Sequence, residues 1–145
     1  MKETFLAGRI LLGGYLLFSG AHHFSNLTQM SAAAAHHGVP MPTLSVAAAG
    51  VLLLIGALSF LLGIFPKVGI AALVLFFVPV TLLMHQYWRE EGMTRMNDMI
   101  NFTKNVGLLG AIAMFAAIPE PWPYSARSWS HRRAGGTLRP SHKLM

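Results

Sequence analysis

The sequence predicts an all-α fold, an integral membrane bundle of four helices with both termini in the cytoplasm. Three observations carry this. Hydrophobic residues make up 54% of the 145 and charged residues 11%, whereas a soluble domain is about 25% charged. So few charges cannot cover a water-facing surface of this size. The charges also fall between and beyond four long apolar runs, at about 5–24, 44–65, 68–87 and 101–118. Each run approaches the ~20 residues that a helix needs to cross the hydrocarbon core. Finally, the Lys and Arg residues divide unevenly between the two sides that four crossings create. A strand reading fails, because the apolar runs are continuous rather than alternating and far exceed a soluble strand.

The first run, Phe5–Phe24, is interrupted only by Arg9. Lys2 and Arg9, an apolar stretch and Ser19-Gly20-Ala21 also resemble a signal peptide with a small-residue cleavage site. The apolar stretch continues past Ala21 to Phe24, which favours a retained helix. In the loop that follows, the alanine-rich stretch Ser31–His37 is expected to form a short surface helix. Pro40 and Pro42 end the loop, and Thr43 is placed to cap the next helix.

The second run, Leu44–Phe65, has no charge. Its Ala49, Gly56 and Gly63 are spaced by seven and share a stripe, the kind of surface on which membrane helices approach closely. Phe65-Pro66-Lys67 reads as a tight turn, making the second and third helices antiparallel neighbours. In the third run, Val68–Tyr87, Pro79 removes a backbone donor, frees the carbonyl of Leu75 and is expected to kink the helix. Trp88–Ile100 is polar and is expected to be a loop. In the fourth run, Gly110, Ala113 and Ala117 form a second small-residue stripe, also expected to face the bundle interior. Residues 1–118 thus form one membrane domain. Residues 119–145 form a basic cytoplasmic tail, expected to be disordered.

Lys2, Arg9, Lys67, Arg127, Arg132, Arg133, Arg139 and Lys143 lie on one side, and Arg89, Arg95 and Lys104 on the other. The positive-inside rule then places both termini in the cytoplasm of an inner-membrane protein. Trp88, Trp122, Tyr124 and Trp129 lie just beyond helix ends, where aromatic belts form.

That topology gathers ionisable residues at the outer face. His22 and His23 close the first helix, and His85 closes the third. Asn97, Asp98, Asn101, Lys104 and Asn105 lead into the fourth. Asp98, Asn101 and Asn105 share one helical face. Adjacent residues point about 100° apart on a helix, so one of His22 and His23 can face inward. Polar groups at membrane depth are costly and are functional candidates. His85, Lys104 and Asn105, with His23 and Asn101, are the candidate ligand-binding set of an outer polar pocket. Imidazole and ammonium groups there suit a carbonyl or anionic head, and His85 suits proton exchange. The competing reading for each residue alone is contact with lipid headgroups, with Lys104 snorkelling.

Several function classes are excluded. With no cysteine, there is no disulfide framework, thiolate metal site or thiol redox chemistry on this chain. No metal site is expected, because adjacent histidine pairs rarely aim both rings at one ion. Soluble-enzyme motifs are missing, and no folded module presents the basic tail to nucleic acid.

The segment HQYWREEGMTRMNDMINFTKNVGLLGA from His85 to Ala111, with GRILLGGYLLFSG near the start and GVPMP in the first loop, resembles the DoxX family of small four-helix inner-membrane proteins. The resemblance spans roughly Gly8 to Ile118. It implies association with oxidoreductase systems, including thiosulfate:quinone oxidoreduction and oxidative-stress complexes, and it carries over onto His85, Phe102, Lys104 and Asn105. The chain departs from the family where His23 stands for a frequent lysine and Leu53 for a frequent acidic residue. The second departure weakens any proton-coupled or catalytic role.

The expected function is therefore a DoxX-like subunit or accessory factor of a redox or quinone-linked system. No catalytic residue is assigned, and an oxidoreductase role would need a partner. No motif specifies a cofactor; a quinone is one that the pocket chemistry admits. Expected partners are membrane lipids, a membrane or periplasmic oxidoreductase and a second copy of the chain, with no nucleic acid. The alternatives are a small transporter or permeability factor and a purely structural membrane assembly protein.

Overall fold

The computed structural model describes residues 1–126. It contains five α-helices: α1 (Lys2–Ser25), α2 (Leu27–His36), α3 (Pro42–Leu62), α4 (Pro66–Met84) and α5 (Gly92–Ala116). A 3-10 turn at Tyr87–Arg89 joins α4 to α5. The helices α1, α3, α4 and α5 are long and apolar enough to span a membrane. The fold is all-helical, and the short surface helix expected in the first loop is α2.

Glycines set the close approaches between antiparallel spans. A Cβ on Gly13 or Gly20 of α1 would meet Leu61 or Leu54 of α3 at 2.7 and 2.9 Å, and one on Gly50 of α3 would meet Phe24 at 2.8 Å. Gly56 faces Leu73 of α4 in the same way, and Gly69 of α4 faces Ser59. Beneath these contacts lies a core of Leu16, Leu53, Phe60, Leu73, Phe77, Ile112 and Trp122.

The structure revises several sequence expectations. Pro42 is the first residue of α3, and the residue before it, Met41, is left-handed at φ 44°. Thr43 therefore lies inside the helix and does not cap it. The polar stretch 88–100 is mostly helix, since α5 begins at Gly92. Its exposed polar side chains need no hydrocarbon to remain helical. Gly110, Ala113 and Ala117 face outward rather than into the bundle. The buried residues of α5 are Asn105 and Ile112, and small residues alone do not decide which face packs.

The largest revision is at the end of the bundle carrying residue 1. Arg9, counted from sequence among the charges of the cytoplasmic side, is fully buried. Its Nε donates to the carbonyl of Phe60 at 2.8 Å, Nη2 to Leu61 at 3.1 Å and Nη1 to Pro123 at 2.6 Å. A helix leaves its last carbonyls unpaired and carries partial negative charge at its C-terminus. Arg9 meets both needs of α3. Ser59 continues the closure by donating to the carbonyls of Ile64 and Phe65. Gly63 adopts φ 66° directly under the guanidinium, where an added Cβ would meet Nη2 at 2.5 Å.

Residues 119–126, expected to begin a disordered tail, fold back instead. Trp122 is 1% exposed, in the core rather than in an aromatic belt. It packs edge-on against Phe5 and Phe60, and with Phe115 they form one aromatic group. The basic part of the tail, with Arg127, Trp129, Arg132, Arg133, Arg139 and Lys143, lies outside the described residues.

Candidate functional site

The opposite end of the bundle is built from the last three turns of α1, the end of α4 and the first four turns of α5. A cavity of about 360 Å³ opens there, within the size range of small-molecule sites, about 300–1,000 Å³. His23, His85, Asn101, Lys104 and Asn105 all line it. The structure thus brings all five candidate residues together. Tyr15, Ser19 and Phe76 complete the walls that matter for its chemistry.

His23 is 8% exposed, while His22 is exposed and pairs with Asn26. Both line the cavity, but of the adjacent pair only His23 is buried. His23 Nδ1 lies 2.8 Å from the carbonyl of Ser19. A carbonyl can only accept, so Nδ1 carries the proton. When the ring is neutral, Nε2 is then an acceptor. The ring stands edge-on to Phe76, with centroids 5.8 Å apart, which fixes its orientation.

His85 caps the end of α4. Its Nδ1 meets Oδ1 of Asp98 at 3.2 Å. The other carboxylate oxygen, Oδ2, is buried without a hydrogen-bond partner among the described residues. Asp98 was visible in the sequence as part of a polar stripe, but not as the partner of His85. A signal was present. The connection between α4 and α5 is short, and an acid on the inward face near the start of the returning helix meets whatever closes the previous one.

Lys104 Nζ donates to Oδ1 of Asn101 at 2.8 Å, and Asn101 Nδ2 donates to the carbonyl of Asn97 at 3.0 Å. Asn101 is therefore engaged at both ends and positions Lys104. Asn105, 5% exposed, is the most deeply buried polar group that α5 supplies. Its amide makes no hydrogen bond to a described residue, so its polar atoms remain available to a ligand. Phe102, which the resemblance carried over, lies outside the cavity lining. It packs against Tyr87 and Trp88 in an aromatic group at this end. Among the described residues, no three His, Cys, Asp or Glu side chains gather as a metal site would require.

The cavity therefore offers both hydrogen-bond donors and an acceptor, on three different helices, above an apolar floor. The DoxX sequence profile matches residues 4–86, covering more than half of the chain. The chain belongs to the DoxX family. The match contains His23 and His85 but ends before α5, so Lys104 and Asn105 lie beyond it. This DoxX protein is also 36% identical over 80 residues to inner membrane protein YphA of Escherichia coli (strain K12), an alignment covering 54% of this chain and 56% of that protein. The aligned stretch is thus only a little over half of that relative. No solved structure matches.

Proposed function

We propose that this DoxX protein is a multi-pass inner-membrane accessory subunit that binds a quinone-class head at the outer face and serves a partner oxidoreductase there. The inner-membrane placement follows the relative's name. The outer placement follows the Lys and Arg asymmetry, which puts both termini in the cytoplasm. One observation carries the reading: an acceptor nitrogen on His23 and donors on Lys104 and Asn105 share one cavity. A quinone carbonyl accepts hydrogen bonds and a quinol hydroxyl donates them, so a site serving both forms needs both kinds of group. A bound quinone would supply the two-electron chemistry. The chain's own part is to orient the head through Lys104 and Asn105. The imidazole of His85, held by Asp98, is placed to exchange a proton with the outer aqueous phase.

A solute path has less support. The packed cluster of Leu16, Leu53, Phe60, Leu73 and Ile112 lies beneath the cavity. A purely structural role leaves unexplained why Asn105 turns an amide that no described residue bonds toward the cavity.

The test is native mass spectrometry of the protein released from mild detergent, wild type beside His85→Ala. A bound mass matching a quinone that the variant loses is the expected result. An apo mass in both forms, or a partner protein retained equally by both, would overturn the reading.

A further inference from the structure

A second cavity, of about 320 Å³, lies beside the first, under α2 and between α3 and α4. The two have a common wall: His23, Met30, Phe76, Val80 and Met84 line both. Their chemistry is opposite. The second chamber is lined by aliphatic and methionine side chains and Phe76, with His23 and Ser45 as its polar residues. The Ser45 hydroxyl is already committed to the carbonyl of Pro40 at 2.7 Å. No headgroup finds partners there; hydrocarbon does.

The chamber is built by the sequence around it. Helix α2 forms its roof, anchored by buried Ser31 and Ala34. Ala33 and Ala34 put only methyl groups over the space. On the floor, Pro79 lacks the N–H that would bond the carbonyl of Leu75, and both residues line the chamber.

Resting on the head-binding reading above, we infer that the two cavities are halves of one site for a single-tailed amphiphile. Its head occupies the polar chamber and its hydrocarbon tail the apolar chamber under α2, with His23 and Phe76 as the neck between them. Physical chemistry makes the halves interdependent. Lipid tails are as apolar as the chamber, so moving a tail from the bilayer into it gains little hydrophobic free energy. The head must hold the molecule, and the chamber then decides where the tail lies. A rival route exists in the groove between α1 and α5. It shares only Tyr15 and Lys104 with the polar chamber.

The test uses the full chain in lipid nanodiscs and two photoreactive probes with the same straight alkyl tail, bearing a diazirine near its end. One probe carries a benzoquinone head and the other phosphocholine. Cross-linked residues are mapped by peptide mass spectrometry. The expected label from the benzoquinone probe falls on α2, α3 and α4 at Ala34, Val46 and Val80, which line the chamber and are not exposed. It drops roughly tenfold, the change that about 1.4 kcal/mol brings, in Ala49→Phe, which fills the chamber. Ala33→Phe, at an exposed position on the roof, should act alike and keeps the result readable if the first variant folds poorly. Label on the α1–α5 groove or the lipid-facing surface, label that neither variant changes, or no specific label at all overturns the inference. Equal chamber labelling by both probes, lost in Asn105→Leu, upholds the two-chamber site and refutes the quinone head. Quinone bound by native mass spectrometry with its tail elsewhere does the reverse.

Discussion

The two ends of this bundle treat charge in opposite ways. At one end Arg9 is wholly buried, and three carbonyls from two separate segments accept its hydrogen bonds. Phe5 and Trp122 lie within cation–π range at 5.8 and 5.6 Å. At the other end, His23 and His85 line an open cavity and each engages one ring nitrogen, Asp98 behind His85 leaves Oδ2 without a partner among the described residues, and the amide of Asn105 is bonded by none of them. An ionisable residue at membrane depth is thus no single signal. A group whose bonds are all taken by the fold serves the fold. A group with bonds to spare is available to a ligand.

This contrast can be broken by substitution. Arg9→Ala should have the largest effect, leaving buried carbonyls on Phe60, Leu61 and Pro123 without a donor. We expect a stability loss on the order of 4 kcal/mol, read as the thermal midpoint in detergent. Arg9→Lys should recover only part, since a point charge cannot reach three carbonyls as a fork does. A midpoint unchanged in Arg9→Ala would mean that the closed end does not hold the bundle together.

Trp122→Ala comes next, at about 3–5 kcal/mol for emptying a packed aromatic site. It should also raise proteolysis of the segment after α5, because Trp122 is what seats that segment on Phe5 and Phe60. Asn105→Leu should do the opposite. If its amide is kept for a ligand, an apolar replacement of similar size should leave stability unchanged or raise it, while quinone retention in native mass spectrometry falls. A clear destabilisation would show that Asn105 serves the fold, as Arg9 does. The smallest effect belongs to Lys67→Ala. Its pairing with Glu120 at 4.0 Å is exposed, and such pairs contribute little. No measurable midpoint shift is expected in a thermal melt at moderate salt.

The spans were legible because lipid imposes a length and a composition on each one. The grouping of the candidate site residues was legible for a related reason. His23, His85, Asn101, Lys104 and Asn105 are polar residues at the same depth on three helices, and antiparallel topology brings equal depths together. The facing of Gly110, Ala113 and Ala117 was not legible. In lipid, both faces of a helix can be apolar, so the hydrophobic pattern that marks an inner face in water carries little information here. The fate of Arg9 was hidden too. Near a helix start, the same residue satisfies the positive-inside pattern and can reach into the core, and sequence position does not distinguish the two.

Length and hydropathy by themselves determined a four-span membrane protein with a polar cluster at one end, because the cost of burying polar groups in hydrocarbon is local and additive along a chain. Tertiary structure alone decided which carbonyls Arg9 closes, that Trp122 returns to the core, that Asp98 meets His85 and that an apolar chamber adjoins the polar one. Each of these depends on groups distant in sequence meeting at a particular distance and angle, and hydrogen bonds and packing are short-ranged enough that no pattern along the chain encodes them.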